Sequence, residues 1–310
     1  MIKLFLENFY ENISFYFLGI LTCFLLDKYI FSNKNDSEEL RVIPENEEEE
    51  IKKNRIKYKN IINSCPKIKK YYMVIGVGGV GSKVVFDLIR SGVQKLKIID
   101  YDLVTLSSLN RHAFAKRTDV GKFKSTLIKE YASKARPDIQ IESIDSPLLS
   151  NNIDEMILKD KPDLIIDCID DLRAKSSLYL FCYLNNIKII SSMGAGGKCD
   201  PTTIRYGKFN EIKYEILARR LRYIVRRKMK ELDKFKNIEV TDELLPNFSC
   251  VYSFEKNERE LEKLDDEDMK MKTNSKNNFN ERTRSLPVFA CMPSSFGHCL
   301  SSFAIQNDNF

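Results

Sequence analysis

The chain has 310 residues, 43% of them hydrophobic and 30% charged, with a formal net charge of +6 and a pI near 8.7. That is enough for one large α/β domain with a core and appendages, two domains are not required, and so mild a net charge selects no partner by itself. Eight cysteines, at 23, 65, 168, 182, 199, 250, 291 and 299, contain no CxxC pair, which excludes a zinc ribbon and a regular disulfide framework and leaves reduced, mostly buried thiols.

In chain order, Asn12 to Leu26 is an uncharged apolar stretch that Tyr29, Ile30 and Phe31 extend past Asp27 and Lys28. Its fifteen residues fall short of the roughly 20 that cross a bilayer, but flanking aromatic and lysine side chains can sit in the interface, so residues 1–32 are read as a hydrophobic membrane anchor. A removed targeting segment or a helix packed on the body would produce the same run. Lys3 before it, and Lys28 and Lys34 after it, weakly favour a cytosolic body. Residues 33–50, with acidic Glu45 and Glu47 to Glu50, suit a solvated linker.

The body is residues 51–310. Ile51 to Lys70 has roughly helical spacing, and then strands near 71–75, 96–100, 139–144, 163–169 and 187–192 alternate with helices near 80–91, 120–135, 150–160 and 173–186. This succession predicts a Rossmann-like α/β fold, a mainly parallel sheet with helices on both faces, plus the N-terminal hydrophobic helix. Thr203 to Tyr206 continues the sheet in antiparallel fashion. Residues from about 255 to 285, rich in Glu, Lys, Asp and Asn, are expected to be a disordered insertion, and Leu286 to Ile305 to close the domain as a strand and a helix.

The chemistry gathers where strands end. In Val74-Ile-Gly-Val-Gly-Gly-Val-Gly81, glycines 76, 78, 79 and 81 permit a tight turn and close approach to a phosphate at a helix N-terminus, although a strand-to-helix turn wants glycine for structural reasons too. Asp100 lies 19 residues beyond Gly81, where a carboxylate can accept hydrogen bonds from ribose hydroxyls. Arg111 and Lys124 can fold over the loop toward a triphosphate, which argues against a nicotinamide dinucleotide. Asp170 can hold Mg²⁺ against phosphates, because a hard cation takes oxygen ligands. Blander roles compete: Arg111 and Lys124 as surface charges, Asp170 and especially Asp171 as helix caps, Asp102 as a turn residue, His112 as structural.

Arg219, Arg220, Arg222, Arg226, Arg227, Lys228 and Lys230 are seven basic residues in twelve. On a helix, Leu221, Ile224, Val225 and Lys228 line one side and most basic groups face out, either as a phosphate-binding surface or as an ordinary solvated face. Cys199 and Cys291 are the nearest candidates for a nucleophile, with the role of small apolar filler preferred for each.

The ordered set Gly76-Val-Gly-Gly-Val-Gly81, Asp100-Tyr-Asp102, Ser108-Leu-Asn110-Arg111, Val120-Gly-Lys-Phe-Lys124 and Asp167-Cys-Ile-Asp170 resembles the ubiquitin-activating-like adenylating enzymes over residues 51 to about 210. Asp170-Asp-Leu-Arg-Ala-Lys175, Met193-Gly-Ala-Gly-Gly-Lys-Cys-Asp-Pro-Thr202 and Cys250-Val-Tyr-Ser253 narrow the likeness to the tRNA threonylcarbamoyladenosine dehydratases. The resemblance implies ATP and Mg²⁺ as cofactors, with Asp100 on the ribose, Arg111 and Lys124 at the phosphates, Asp170 on the metal, and Asp102 and Asn110 also among the residues that bind the nucleotide. It also implies adenylation and ring closure of threonylcarbamoyladenosine at position 37 of tRNA. Asn54-Arg55 matches a pair whose arginine reaches into a partner's site in a homodimer. Likeness to fungal members with a hydrophobic N-terminus points to the mitochondrial outer membrane, with other organelles left open, as is participation of a sulfur-relay partner. Adenylation of a ubiquitin-like or sulfur-carrier C-terminus is the alternative, disfavoured by the missing CxxC pairs and by the basic helix. A nicotinamide oxidoreductase would leave Arg111, Lys124 and Asp170 without a purpose, and intact charged residues argue against a non-catalytic scaffold.

Overall fold

The computed structural model describes residues 68–256, 262–263 and 284–306. The expected anchor, the acidic linker, Arg55 and most of the expected insertion lie outside the described residues. Among those that are described, no helix is long and apolar enough to cross a membrane.

A seven-stranded sheet carries the body. Its strands are β1 (Ile68–Ile75), β2 (Val93–Ile99), β3 (Gln140–Ile144), β4 (Leu164–Asp167), β5 (Ile189–Ser192), β6 (Ile204–Lys208) and β7 (Ser249–Ser253), in the spatial order β3-β2-β1-β4-β5-β7-β6. Every neighbouring pair is parallel except β6 with β7. The helices are α1 (Gly79–Ser91), α2 (Lys124–Ala135), α3 (Ile153–Ile157), α4 (Leu172–Leu184), α5 (Ile216–Glu231) and α6 (Cys291–Gln306).

The period of two along a strand divides the core. Tyr72 and Val74 of β1 join Leu96, Ile166, Ile190 and Val251 on one face, under α1, α2 and α6. Met73 and Ile75 join Ile99, Ile165, Ile189 and Cys250 on the other, under α3, α4 and α5. Both faces of β1 are therefore dry, which is why the run Tyr71 to Ile75 shows no polar alternation. α1 buries Gly81, Ser82, Val84, Val85, Leu88 and Ile89 and stops at Gly92, whose φ of 95° places its N–H on the carbonyls of Leu88 and Ile89.

Four expectations change. The helix expected from about 120 starts at Lys124, because Gly121 at φ 91° bends the chain and Leu103 bridges Phe123. The helix expected at 150–160 shortens to Ile153–Ile157. Leu286 to Phe289 forms no strand: Pro287 has no N–H for a ladder, and its carbonyl accepts from Gly197 instead. The remainder of that block is α6. Finally, Ser249–Ser253, which has no strand among the sequence expectations, is β7, between β5 and the antiparallel edge strand β6.

The turn from β1 into α1 is tightest at Gly81. A Cβ on Gly81 would lie 1.9 Å from the carbonyl oxygen of Gly76, whereas a Cβ on Gly78 would meet nothing within 4 Å. Gly81→Ala is therefore expected to lower the unfolding free energy by about 1–3 kcal/mol or more, since backbone must shift. Gly78→Ala is expected to stay within about 0.5 kcal/mol of the parent; equal urea midpoints for the two variants would contradict this.

Candidate functional site at the carboxyl edge of the sheet

Gly76, at φ 82°, turns the chain off β1, and its N–H donates to the carbonyl of Ile99 at 2.9 Å. The next N–H, of Val77, donates to Asp100 Oδ2 at 2.6 Å, and the N–H of Asp102 donates to Asp100 Oδ1 at 2.7 Å. Asp100 thus ties the glycine loop to the end of β2 through both carboxylate oxygens. Burial pushes its carboxyl up to about 6, against the pull of the Lys124 ammonium. α1 then begins with no side-chain cap and no acidic residue in its first turn, so its N-terminal N–H groups and positive dipole end face the loop.

The cationic residues sit less openly than the sequence suggests. Lys124 is buried, and its ammonium lies 2.8 Å from Asp102 Oδ2. Burial opposes its charge, but Asp102 and Asp100 hold its pKa above the ordinary lysine value. In this structure the ammonium forms a pair with Asp102 that joins α2 to the segment after β2. Arg111 packs its stem along the loop: a Cβ on Gly79 would be 3.1 Å from its Cγ and Cδ. Its Nη1 donates to the Ser107 carbonyl at 2.7 Å and to Asn110 Oδ1 at 2.9 Å, while Asn110 Nδ2 contacts the Val288 carbonyl at 3.4 Å. A cleft of about 450 Å³, lined by Lys83, Asn110, Arg111, His112, Ser294 and His298 among others, opens beside them. His112 is structural: Nδ1 accepts from the N–H groups of Phe114 and Ala115, and burial, then the Lys124 charge, pushes it down to about 4, so it stays neutral.

Asp170 is exposed beyond the end of β4. Burial, and then the charges of Asp102, Asp100, Asp170 and Asp171, raise the Tyr101 phenol, so Asp170 lies within electrostatic reach of that ring. Asp171 caps α4, accepting from the N–H groups of Arg173 and Ala174 at 2.9 Å. Among the described residues no group of three His, Cys, Asp or Glu converges on a metal position. A single carboxylate still fits a Mg²⁺ whose remaining ligands are phosphate and water.

Sequence reasoning missed the pair beneath. Asp167 and Lys175 are both fully buried with Nζ 2.5 Å from Oδ2, and Ser191 Oγ and the N–H of Ile169 also donate to Asp167. Lys175 donates onward to the Ile169 carbonyl at 2.9 Å. A signal existed: Lys175 falls four residues after the cap, on the same inward stripe as Leu178 and Tyr179.

The basic helix divides. Ala218, Leu221, Val225 and Met229 form its buried side. Arg222 donates to the Phe209 carbonyl at 3.0 Å, Arg226 pairs with Asp242, and Lys228 donates to Ser177 Oγ at 2.7 Å, so these three fasten α5 to the body. Arg219, Arg220, Arg227 and Lys230 are exposed. Cys199 and Cys291 are exposed too, so the filler role does not describe them, and burial pushes the inward Cys250 thiol up to about 12.

These residues lie on the edge where open parallel sheets bind their ligands, which places the molecule among Rossmann-like α/β proteins. The model describing the ThiF family matches residues 62–278, and the chain belongs to that family. It is 36% identical over 244 residues to tRNA threonylcarbamoyladenosine dehydratase 2 of Saccharomyces cerevisiae, covering 77% of this chain and 52% of that one. To the tRNA threonylcarbamoyladenosine dehydratase of Haemophilus influenzae it is 34% identical over 154 residues, 50% of this chain and 59% of that one. The chain thus spans about half the length of the yeast relative. The Escherichia coli dehydratase TcdA in complex with AMP superposes with a TM-score of 0.62 at 23% identity, over 81% of this chain and 88% of that one, which shows a shared fold.

The buried pair invites a test. Lys175→Met leaves Asp167 charged and unpaired and is expected to cost about 3–5 kcal/mol. Adding Asp167→Asn removes the orphaned charge and is expected to recover most of that loss in urea unfolding. A double variant as unstable as the single one would show that the ion pair is not what matters.

Proposed function

We propose that this chain is an ATP-dependent tRNA threonylcarbamoyladenosine dehydratase that works through an acyl-adenylate. The observation that carries this reading is the convergence of an uncapped α1 N-terminus, Arg111, the Asp102–Lys124 pair and Asp170 on one edge of the sheet. The likeness to named dehydratases supports it.

A carboxylate is a poor electrophile, and the remedy is a better leaving group. One carboxylate oxygen of the threonylcarbamoyl group attacks the α-phosphorus of ATP, the bond to the bridging oxygen breaks, and pyrophosphate departs. An internal nucleophile of the substrate then attacks the acyl carbon, loses its proton, and expels AMP with the original carboxylate oxygen. The nucleoside loses one water overall, and ATP becomes AMP and pyrophosphate. The protein supplies positioning and charge neutralisation. In this reading the glycines at 76, 78, 79 and 81 let the backbone approach the phosphates, Arg111 and Asn110 flank them, and Asp100 and Asp102 face the nucleoside. Lys124 adds positive charge from behind Asp102. Asp170 would hold Mg²⁺, which neutralises phosphate charge when bound. No cysteine is needed, because the attacking atom belongs to the substrate.

The proposal extends to tRNA as the macromolecular substrate on α5, to a homodimer completed by Arg55, and to a sulfur-relay partner. It also includes a membrane anchor at residues 1–32, supported by the apolar run Asn12 to Leu26, with the catalytic body facing the cytosol on the mitochondrial outer membrane.

Incubation with ATP, Mg²⁺ and tRNA bearing threonylcarbamoyladenosine is expected to release AMP as the nucleoside loses the mass of one water. AMP release stimulated by a small carrier protein instead would overturn the substrate assignment. Asp170→Ala is expected to abolish adenylation while tRNA retention persists; equal loss of both would make the residue structural. Gly78→Ala, which fills open space at the loop, is expected to lower kcat/KM for ATP by up to about 100-fold.

A further inference from the structure

The outward side of α5 carries more than charge. Ile216, Arg219, Arg220, Tyr223, Arg227 and Lys230 are all exposed, and their spacing of three, one, three, four and three residues places them on one stripe. The stripe runs about 21 Å along the helix. Tyr223, in its middle, is 65% exposed, and Tyr214, just before the N-cap Glu215, is 88% exposed, the most open of the large hydrophobic side chains among the described residues. Neither ring is needed for packing, since the opposite side of the helix already fills the core through Leu221, Val225 and Met229.

We propose that this stripe is a stacking platform for unpaired RNA bases, with Tyr223 and Tyr214 receiving bases and Arg219, Arg220, Arg227 and Lys230 holding the flanking phosphates. The inference rests on the tRNA reading above and deepens it by specifying single-stranded RNA rather than duplex. Duplex recognition proceeds through shape and backbone and has no use for an exposed aromatic ring, whereas splayed loop bases stack on tyrosine and on guanidinium planes.

Charge complementarity selects nucleic acid over a second copy of the chain. Glu231 is the sole acidic residue within α5, 3.9 Å from Arg227, so two such stripes face to face would repel.

Position connects the stripe to the candidate site. At the start of α5, Glu215 caps the helix, and its Oε1 lies 3.1 Å from where a Cβ on Gly194 would be, in the loop after β5. Near the other end, Lys228 reaches Ser177 of α4, and the Asp171 charge acts on it. The helix therefore runs from the loop after β5 toward the start of α4, next to Asp170. A loop bound along the stripe therefore lies on a helix whose last turns pack against the segment that follows Asp170.

The test uses the full chain and two RNA probes of equal charge, an anticodon stem–loop and a blunt duplex, titrated by fluorescence anisotropy across a salt series. The stem–loop is expected to bind more tightly than the duplex. Tyr223→Ala is expected to weaken stem–loop binding about 5- to 100-fold with its salt slope unchanged, and Tyr223→Phe to retain binding. Arg227→Ala is expected to reduce the slope by about 0.7. Stem–loop affinity unchanged by Tyr223→Ala, equal loss for both probes, or a change in oligomeric state with that variant would overturn the platform. Because the readout is RNA binding, a chain that forms no AMP but shows this Tyr223 dependence upholds the platform and overturns the proposed reaction. Normal AMP formation with a silent Tyr223→Ala does the reverse.

Discussion

The approach of two backbone segments between Gly76 and Gly81 is the constraint on which the rest of the molecule is arranged. No side chain fits there, because a Cβ on Gly81 would overlap the Gly76 carbonyl. The resulting turn is narrow enough for the Val77 N–H to reach Asp100 at the end of the neighbouring strand. One carboxylate therefore fixes the loop to β2, and the uncapped first turn of α1 is left pointing at the same edge. Burying that carboxylate is costly, which is why its pKa rises; the Lys124 ammonium offsets part of the cost, and the charge of Asp102 adds to it.

A second buried charge system supports the next strand over. Asp167 and Lys175 are fully enclosed, and the Lys175 ammonium also holds the Ile169 carbonyl, one residue before Asp170. The chain between β4 and α4 is thus held from below by Lys175 and from above by the Asp171 cap. Asp170 is carried between those two anchors. A candidate ligand residue on an exposed loop gains a fixed position in this way, and a pair that contributes little net stability can still determine geometry.

Much of the fold was legible because its signals are local. Five parallel strands and the helices between them follow from apolar runs and their spacing, and the glycine loop and Asp100 fall at strand ends by counting residues alone. β7 was harder: Ser249–Ser253 is short, separated from its parallel neighbour β5 by more than fifty residues, and recognisable as a strand only by the pairing that completes it. The helix start at Lys124 depended on a bridge between Leu103 and Phe123 that residue order does not announce.

What the sequence by itself determined is the class of fold, the family likeness and the set of charged residues gathered at one edge of the sheet, since periodicity, glycine spacing and composition act over a few residues at a time. Only the tertiary structure decided what each charge does. Lys124 turned inward to Asp102, Lys175 became the buried partner of Asp167, and Arg222, Arg226 and Lys228 fastened a helix whose other cations remain outside. The physical reason is that the energy of a charge depends on the groups brought to it from distant parts of the chain and on the water it loses there, and neither is written in its own neighbourhood.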